Sequence, residues 1–484
     1  MTGSAATRPP DRWAAVAAGA AITLLFVGIR GALLLVREPF FDELYTLWIS
    51  ARPLGAQWSA LLHDSGPPLY YALVRAITFG HPALTEVRLI SMAAAAALLA
   101  ILFFARSLGP ARWIAALLLA IFPAHVYFST EARAYALAAL FAGIAALAID
   151  AWLRGGRRMA LVLAVAAMLA AAWCHYYGVL FFPVPLVVAA VARRKRAALE
   201  GLVAGAVAGV GFLPGFWLAL RQPPEAMRWV SLREPFSPWE PLLHLSWAAP
   251  YPGVFIIPPP LAIQIFANAL TVIAVVAGFR QERARIWAAI TLTPVALVMI
   301  FSAAGMAAYF PTRFEAVIAA PLAVWIALSL GAMHERRVRG AVLVCLLVVG
   351  SVSSYYAFMT AAGKPRDGWR EAALLVRGSV PPTVPIVASG YAYLETSAQS
   401  TEEWPASVIP FPASLGEHPG WVGTPDPGSL VHEHLPGESF VWVGEWESAE
   451  MREVERRYAL TVLERVGRVA VIEVRQKAEG RRQK

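Results

Sequence analysis

The sequence is poor in charged residues. Asp, Glu, Lys and Arg make up only 15% of its 484 residues, whereas a typical soluble domain has roughly 25%. Hydrophobic residues account for 58% of the chain, and apolar runs of about twenty residues recur along it. This composition excludes an ordinary soluble globular protein and predicts several helices that cross a membrane.

The sequence also lacks the motifs of several common chemistries. Cys174 and Cys345 are its two cysteines, and both lie in or beside apolar runs, so no disulfide framework is indicated. No phosphate-binding loop, dinucleotide fingerprint or nucleophile elbow is present. His432 and His434 stand in a short isolated stretch that does not suit a metal site. We therefore predict no cofactor, and leave a divalent cation open as an alternative.

The net charge of +9 invites a nucleic-acid-binding interpretation. We reject that interpretation because the basic residues cluster in short loops between the apolar runs, where they report topology instead. The N-terminal apolar run is too long for a cleaved signal peptide and is followed directly by an acidic loop, so we interpret it as an uncleaved first helix.

Eleven apolar segments predict membrane-spanning helices, and together they form a predicted transmembrane domain over residues 1–360. The segments lie at about 13–36, 84–105, 113–129, 134–153, 159–174, 176–192, 197–219, 259–279, 286–305, 314–333 and 340–360. The fold class is therefore a polytopic α-helical membrane protein.

Loop charge predicts how these helices are oriented. The basic loops fall on every second connection, so they share one side of the membrane. They lie near residues 106–112, 154–158, 193–196, 280–285 and 334–339. The positive-inside rule makes this side, with the N-terminus, cytoplasmic. The alternate connections then face outward, including 37–83 and everything after 361. We expect a multi-pass protein of the cell (inner or plasma) membrane.

The segment 361–484 has a different character, because it has no long apolar runs. Short β-rich stretches at 384–388, 439–443 and 469–474 alternate with charged helical stretches such as Glu447–Tyr458. Strands that alternate with helices predict a small α/β domain. On the predicted topology this domain is extracytoplasmic.

The unusual polar motifs all fall on the predicted outer side, and the first is the pair Asp42 and Glu43. Carboxylates are costly near a bilayer, so acids held at its surface indicate a function. One of the two is suited to deprotonate an acceptor hydroxyl as a general base. A solvated acidic loop, or a charge pair at a helix N-terminus, would explain the pair equally well.

Two further motifs follow. Asp64 precedes Pro67, Pro68 and a Leu-Tyr-Tyr stretch, where the prolines fix the chain as it enters a helix and the tyrosines suit the membrane interface. Helices lying along the membrane surface are expected over 44–80. In the other motif Glu131, Arg133 and Tyr135 stand at the outer end of a helix pair. A local ion pair is the structural alternative for Glu131, although residues two apart on a helix face different directions.

The remaining motifs are His175-Tyr176 in a turn between apolar runs, Arg313 at an outer helix end, and Arg370 at the start of the soluble domain. Arg133 and Arg313 are candidate phosphate ligands, because the guanidinium group matches phosphate oxygens in a bidentate fork. The structural alternatives are a hydrogen-bonded histidine and an arginine that extends to the lipid headgroups.

Taken together, these motifs resemble the GT-C superfamily of membrane glycosyltransferases, and above all its family-39-like branch. That branch holds protein O-mannosyltransferases and lipid A aminoarabinose transferases. The matching stretches, in chain order, are Asp42-Glu43, Asp64 to Tyr71, Ser129 to Leu137, His175 to Tyr177 and Arg313-Phe314. The resemblance covers roughly 37–370. It departs at Gly66, where many relatives have His, and at Phe314, where many have Tyr.

The resemblance implies a polyprenyl-phosphate-linked sugar as donor and a hydroxyl acceptor in a protein, lipid or glycan, joined in an inverting single displacement. It assigns Asp42 as the base, Glu43 as the competitor for that role, and Glu131 as a second acid. The residues implied to bind the donor or substrate are Asp64, Arg133, Tyr135, His175, Tyr176, Arg313 and Arg370.

Two other functions remain open at this point. A transporter or flippase of a lipid-linked or small polar solute would place ionisable residues at the membrane midplane and in both halves of the chain, whereas the unusual acids here crowd toward one face. A non-catalytic assembly protein would tolerate the loss of Asp42 and Glu131.

Overall fold

The computed structural model describes residues 12–37, 39, 41–223, 260–306, 309–310, 312–363, 369–381, 383–389, 393–394, 408–413, 430, 434–436, 439–466 and 469–476. The chain divides into two compact units. The first comprises Met1–Arg37, Thr85–Trp217 and Arg233–Ala362, and the second comprises Glu38–Leu84, Leu218–Leu232 and Gly363–Lys484. The predicted division into domains 1–360 and 361–484 stays a prediction.

The helices account for most of the described chain. In order they are α1 Arg12–Val36, α2 Phe41–Ser50, α3 Leu54–Leu61, α4 Leu69–Ile77, α5 Leu84–Phe104, α6 Ala111–Ile121, α7 Pro123–Phe128, α8 Tyr135–Gly155 and α9 Arg158–Cys174. They continue with α10 Val184–Val191, α11 Lys195–Gly211, α12 Leu213–Arg221, α13 Leu261–Gly278, α14 Glu282–Ala303, α15 Arg313–Gly331, α16 Arg336–Gly363, α17 Trp369–Ser379 and α18 Ala449–Arg457. Short 3-10 helices lie at Arg106–Leu108 and Tyr176–Phe181.

All eleven predicted apolar segments are helical, and the polytopic fold class is confirmed. Seven helices in the described part of the chain are long and apolar enough to cross a membrane, and α11 with α12 makes an eighth if this pair, bent by 50°, forms one span. Three segments are shorter apolar helices, over Ala111–Ile121, Arg158–Cys174 and Tyr176–Val191. The predicted number of eleven spans therefore stays a prediction.

Helix α15 forms the centre of the first unit. Every residue from Phe314 to Leu330 is buried, and the helix packs against α6, α8, α13 and α14. Small residues allow these close contacts: a side chain on Gly278 would collide with Ser329 of α15, and Gly143 of α8 lies against Ala320. Such small-residue contacts are how membrane helices approach one another closely.

The basic loops of the first unit meet at one end of the bundle around Asp150. This carboxylate is fully buried, and its Oδ2 accepts hydrogen bonds from Arg154 Nε at 3.1 Å and Arg283 Nη2 at 2.9 Å. Arg283 also donates to the carbonyl oxygen of Ser107 at 2.5 Å. Three basic loops thus share one end of the bundle, as the alternation of loop charge predicted. Asp150 and Tyr135 are fifteen residues apart on α8, so Tyr135 lies about 22 Å away toward the opposite end.

The second unit contains the amphipathic helices α2, α3 and α4 of the predicted outer loop. The turn between α3 and α4 carries Asp64. Gln222 hydrogen-bonds to the backbone of this turn on both sides of Asp64. Gln222 Nε2 donates to the carbonyl oxygens of Leu61 at 2.8 Å and Gly66 at 3.0 Å. A side chain at Gly66 would put its Cβ 3.4 Å from the Tyr71 hydroxyl, which is an ordinary van der Waals contact.

The second unit also contains a five-stranded sheet in the order β2-β1-β3-β5-β4. The strands are β1 Ile386–Ser389, β2 Val408–Phe411, β3 Ser439–Glu445, β4 Tyr458–Val466 and β5 Val469–Gln476. β1 pairs in parallel with β2 and β3, whereas β5 is antiparallel to β3 and β4. Apolar clusters cover both faces, one around Trp442 and one around Val441. The predicted α/β character of the C-terminal region is confirmed.

Candidate active site

The centre of the candidate site is the turn between α7 and α8, which carries Glu131. This carboxylate is 4% exposed, and its Oε1 lies 3.8 Å from Arg37 Nη2. Arg37 Nη1 donates to the Tyr127 carbonyl oxygen and to Thr130 Oγ1, each at 2.7 Å. The Arg37 guanidinium lies over the Tyr127 ring, 4.1 Å from its centroid. Arg37, at the end of α1, therefore fixes the turn by contacting both the backbone of the turn and the Glu131 carboxylate.

Helix α5 supports the same turn from another direction. Arg88 Nη1 donates to the Arg37 carbonyl oxygen at 2.9 Å, and Ser91 Oγ donates to the Arg133 carbonyl oxygen at 3.3 Å. The backbone amide of Arg133 donates to the Glu131 carbonyl oxygen at 2.7 Å, so these two residues lie in a tight non-helical turn. Arg37 and Arg88 were not predicted as site residues. The sequence feature that could have indicated them is a charge at the end of an apolar run, for Arg37, or inside one, for Arg88.

His175 lies at the turn between α9 and the 3-10 helix Tyr176–Phe181. Its Nδ1 accepts a hydrogen bond from the Tyr177 amide at 3.2 Å, which caps the 3-10 helix. Gly178 makes the turn possible, because a Cβ there would lie 2.2 Å from the backbone nitrogen of Ala172. The His175 ring packs against Tyr135 and Tyr177, with centroid distances of 5.0 and 4.6 Å.

His175 is a neutral imidazole near two cations. Burial, and then the charges of Arg133 and Arg313, lower the pKa of His175 from 6.5 to about 3. Since Nδ1 accepts from an amide, Nε2 carries the proton. Arg133 and Arg313 are both half-buried. Two partly exposed guanidinium groups around an uncharged ring form an environment suited to an anion.

Arg313 begins α15, and a strained turn precedes it. Thr312 has a φ of 67°, a left-handed conformation that costs about 1–3 kcal/mol for a residue other than glycine. Two hydrogen bonds hold this turn: the Phe310 amide donates to the Tyr177 hydroxyl at 3.0 Å, and the Tyr309 hydroxyl donates to Glu315 Oε1 at 2.6 Å. The Arg313 guanidinium lies 4.5 Å from the centroid of the Phe310 ring.

The first unit therefore brings together most of the residues predicted between positions 131 and 313. Glu131, Arg133, Tyr135, His175 and Arg313 are joined by the contacts above. Tyr176 is half-buried beside them, and its ring lies 6.3 Å from that of Phe212 in an edge-to-face arrangement.

The remaining predicted acids belong to the second unit. Asp42 and Glu43 occupy the first turn of α2, where Asp42 is half-buried and Glu43 is fully buried. Thr46 Oγ1 donates to the Asp42 carbonyl oxygen at 2.9 Å. Asp64, in the turn that Gln222 fastens, is 7% exposed. Arg370 is the second residue of α17, and its side chain lies outside the described part of the structure.

The described residues include no group of three or more His, Cys, Asp or Glu side chains placed to hold a metal ion. The predicted absence of a metal requirement stays a prediction. His432 lies outside the described residues.

The chain matches no protein family and no curated protein in sequence comparisons. Its fold is similar to that of ArnT from Cupriavidus metallidurans in the apo state, with a TM-score of 0.63 and 14% identity over 95% of this chain and 98% of ArnT. ArnT bound to undecaprenyl phosphate gives a TM-score of 0.61 and 15% identity, over 96% and 98% of the two chains. The chain therefore has the fold of ArnT over nearly its whole length, and the predicted resemblance is confirmed at the level of the fold.

A third similar structure is the Archaeoglobus fulgidus oligosaccharyltransferase in its apo form. Its TM-score is 0.49 with 15% identity, and it covers 93% of this chain and 73% of its own. This likeness is too weak to support an inference about the site.

The low pKa of His175 has a measurable consequence for stability. Only the unfolded chain binds this proton between about pH 6.5 and pH 3. The free energy of unfolding should therefore fall as the pH is lowered through this window, by up to about 1.4 kcal/mol per pH unit. His175→Asn keeps an acceptor for the Tyr177 amide but does not titrate, so its stability should fall less steeply than that of the wild type.

The measurement is chemical denaturation of the purified protein at several values of pH within this window. His81→Asn, which changes an exposed histidine, is the control variant. Equal slopes for the wild type and His175→Asn would contradict a neutral imidazole at position 175.

Proposed function

We propose that the protein is a membrane glycosyltransferase that moves a sugar from a polyprenyl-phosphate donor to a hydroxyl acceptor on the outer side of the membrane. The observation that carries this proposal is the position of Arg133 and Arg313. Both are partly exposed, and both act on the neutral His175 at the end of the bundle where Glu131 is buried. This is an environment for a phosphate next to a carboxylate.

The similarity to ArnT supports a lipid-linked phosphate as the ligand. ArnT has the same fold over nearly its whole length, and one of its structures is bound to undecaprenyl phosphate. A polyprenyl chain requires a site that opens to lipid, and the multi-pass fold of the present chain supplies helices long enough to line one. A sugar on such a phosphate would place its anomeric carbon beside the arginines.

The proposed reaction is a single displacement. Asp42 takes the proton from the acceptor hydroxyl, and the hydroxyl oxygen forms a bond to the anomeric carbon. The bond between this carbon and the phosphate oxygen breaks on the opposite face, so the configuration inverts and polyprenyl phosphate leaves. Arg133 and Arg313 stabilise the charge that develops on the phosphate. Asp42 is favoured over Glu43 as the base because Glu43 is fully buried.

The other site residues have supporting roles in this proposal. Glu131, held by Arg37, orients a hydroxyl of the sugar or the acceptor. Tyr135, His175 and Tyr176 are proposed to bind the donor or the acceptor. Asp64 and Arg370 are proposed to bind substrate.

The experiment that tests the function is lipid mass spectrometry of cell envelopes with and without the protein. Loss of the protein should cause a polyprenyl-phosphate sugar to accumulate, and the mass of that sugar identifies the donor. Restoring the wild type should remove the accumulated lipid, whereas Asp42→Asn should not. An unchanged lipid profile together with an altered distribution of a solute across the membrane would favour a transporter.

Orientation is a separate expectation with its own measurement. Loops near residues 155, 195, 282 and 337 are predicted to be cytoplasmic, and residues 361–484 to lie outside. A cysteine introduced near position 420 should react with an impermeant reagent in intact, outer-membrane-permeabilised cells. A cysteine near position 195 should react only after the inner membrane is opened. The reverse pattern would place the proposed site in the cytoplasm and overturn the scheme.

A further inference from the structure

Arg30 is a fully buried arginine inside the first membrane helix. Each nitrogen of its guanidinium group has a partner between Ala120, in the last turn of α6, and Ser129, which follows α7. Nε donates to Ser129 Oγ at 2.8 Å, Nη1 donates to the Ala120 carbonyl oxygen at 2.8 Å, and Nη2 lies 2.9 Å from His125 Nδ1. The guanidinium also lies 3.7 Å from the centroid of the Phe26 ring.

This arrangement is costly. Within the described part of the chain, Arg30 has no carboxylate partner, and a buried cation without one is expensive inside a membrane protein. A guanidinium nitrogen only donates, so His125 Nδ1 accepts and its proton sits on Nε2. That buried Nε2 has no hydrogen bond of good geometry among the described residues, although the ring interacts with the Leu119 backbone. Such a cost is typical of a functional residue.

The partners of Arg30 show what it holds in place. Helix α6 ends at Ile121, and α7 begins at Pro123, so the break leaves carbonyl oxygens without helical partners. Arg30 satisfies one of them at Ala120 and reaches Ser129, two residues before Glu131.

Arg30 works together with Arg37, which directly follows α1 and still makes a helical hydrogen bond from its amide to the Leu33 carbonyl oxygen at 3.0 Å. Seven residues are two turns, so both side chains leave the same face, about 10 Å apart along the axis. Arg37 holds Tyr127, Thr130 and Glu131, as described above. Helix α1 thus fixes the segment 120–131 at two points. Arg37 acts at the C-terminal end of the helix, and Arg30 acts two turns before it.

We propose that Arg30 is a positioning residue for Glu131: it fixes the α6–α7 break and Ser129 so that the Glu131 carboxylate is held in its reactive place. This proposal rests on the proposed function, in which Glu131 orients a reacting hydroxyl. Arg133 is held separately, through Ser91 of α5. Arg30 should therefore act on turnover more than on donor binding.

The test compares Arg30→Lys with the wild type. Lysine keeps the charge, but a single ammonium group cannot span the three directions that the planar guanidinium reaches. Displacing a positioned group by about 1 Å costs up to about 100-fold. We expect kcat per folded molecule to fall by about 10- to 100-fold, with the KM for the donor changed by less than about twofold. Ser91→Ala should do the opposite and raise the donor KM.

The matched control is Arg283→Lys, at the other end of the bundle. Arg283 also joins neighbouring helices through a guanidinium group, bound to Asp150 and Ser107. Its replacement should lower thermal stability but leave kcat per folded molecule unchanged. A comparable loss of kcat in both variants would reduce Arg30 to a general structural role and overturn the proposal.

A double-mutant cycle shows whether Arg30 acts through Glu131. In a Glu131→Gln background, Arg30→Lys should cause little further loss of kcat, because the group that it positions is already absent. If the loss of kcat in the double variant equals the product of the losses in the two single variants, the proposal is overturned.

Amide hydrogen exchange provides a readout that does not require activity. Arg30→Lys should accelerate exchange over residues 122–131, and Arg283→Lys should not. Unchanged exchange there would overturn the proposal. If the wild type transfers no sugar yet Arg30→Lys still loosens this segment, the proposed function fails while the placement by Arg30 stands.

Discussion

Replacing Asp42 with Asn should lower the turnover of sugar transfer by about 10²–10⁴-fold, the usual cost of losing a general base. The variant should still insert and fold, because Asn has the size of Asp and Asp42 is only half-buried at the start of α2. The measurement is single-turnover transfer from a polyprenyl-phosphate sugar by purified protein. Binding of the donor should change little, since Asp42 is proposed to act on the acceptor.

Glu43→Gln is the matched control for Asp42→Asn. The two acids are adjacent in the chain, but Glu43 is fully buried, so its replacement should affect stability more than turnover. If Glu43→Gln abolishes transfer and Asp42→Asn leaves it near normal, the two roles are reversed. If neither change lowers turnover, the protein is not an enzyme of the proposed kind, and an assembly role becomes the better explanation.

Replacing Arg133 or Arg313 with Ala should weaken the binding of polyprenyl phosphate by about 10- to 100-fold. This range follows from the roughly 1.5–3 kcal/mol that a hydrogen bond to a charged group contributes. Lysine at either position keeps the charge but loses the planar fork, so it should retain part of the affinity. The measurement is the Kd of the sugar-free lipid phosphate for each purified variant.

Arg158→Ala is the control for these binding measurements. Arg158 is exposed and begins α9 at the opposite end of that helix from His175, so its removal should leave the Kd unchanged. Unchanged affinity with lost activity in the Arg133 or Arg313 variants would place these arginines on the acceptor or in a structural ion pair, and would contradict a role at the phosphate.

Much of the fold was predictable because lipid imposes a simple rule on sequence. Each apolar run is helical, since a chain in a membrane must satisfy its own backbone hydrogen bonds. The breaks were harder to predict: residues 113–129 form two helices that meet at Pro123, and 197–219 form two that meet at Phe212. Proline stands at or near both breaks, at Pro123 and Pro214, but membrane helices tolerate proline, so its presence alone did not show that a helix ends there.

The C-terminal sheet shows the same limit. Three of its strands were predicted, but β2 and β4 were missed. β2 contains Pro410, which argues against a strand except at the edge of a sheet, and β2 is an edge strand. β4 begins at Tyr458, directly after α18 ends at Arg457, so no turn residues separate the two elements.

The residues of the candidate site stood out in the sequence where polar motifs lie outside the apolar runs, and not where charges lie within the runs. Glu131, His175 and Arg313 were recognised from such motifs. Arg30 and Arg88 were not among the predicted residues, and each lies within a long apolar helix. Their partners are distant in sequence: Arg30 and Ser129 are 99 residues apart. The role of these arginines becomes visible only in the structure, where α1 and α5 contact the chain around Glu131.

The burial of α15 restricts which parts of the protein are able to move during a catalytic cycle. Arg313 is the first residue of a helix whose every side chain from Phe314 to Leu330 is enclosed by its neighbours. Sliding or rotating this helix would require the whole first unit to repack, because protein interiors are close-packed. Arg313 is therefore a fixed reference point. If the protein acts as proposed, adjustment to an incoming lipid phosphate would be confined to the Arg313 side chain and the turn at Thr312, and the donor would move to a site that itself stays in place.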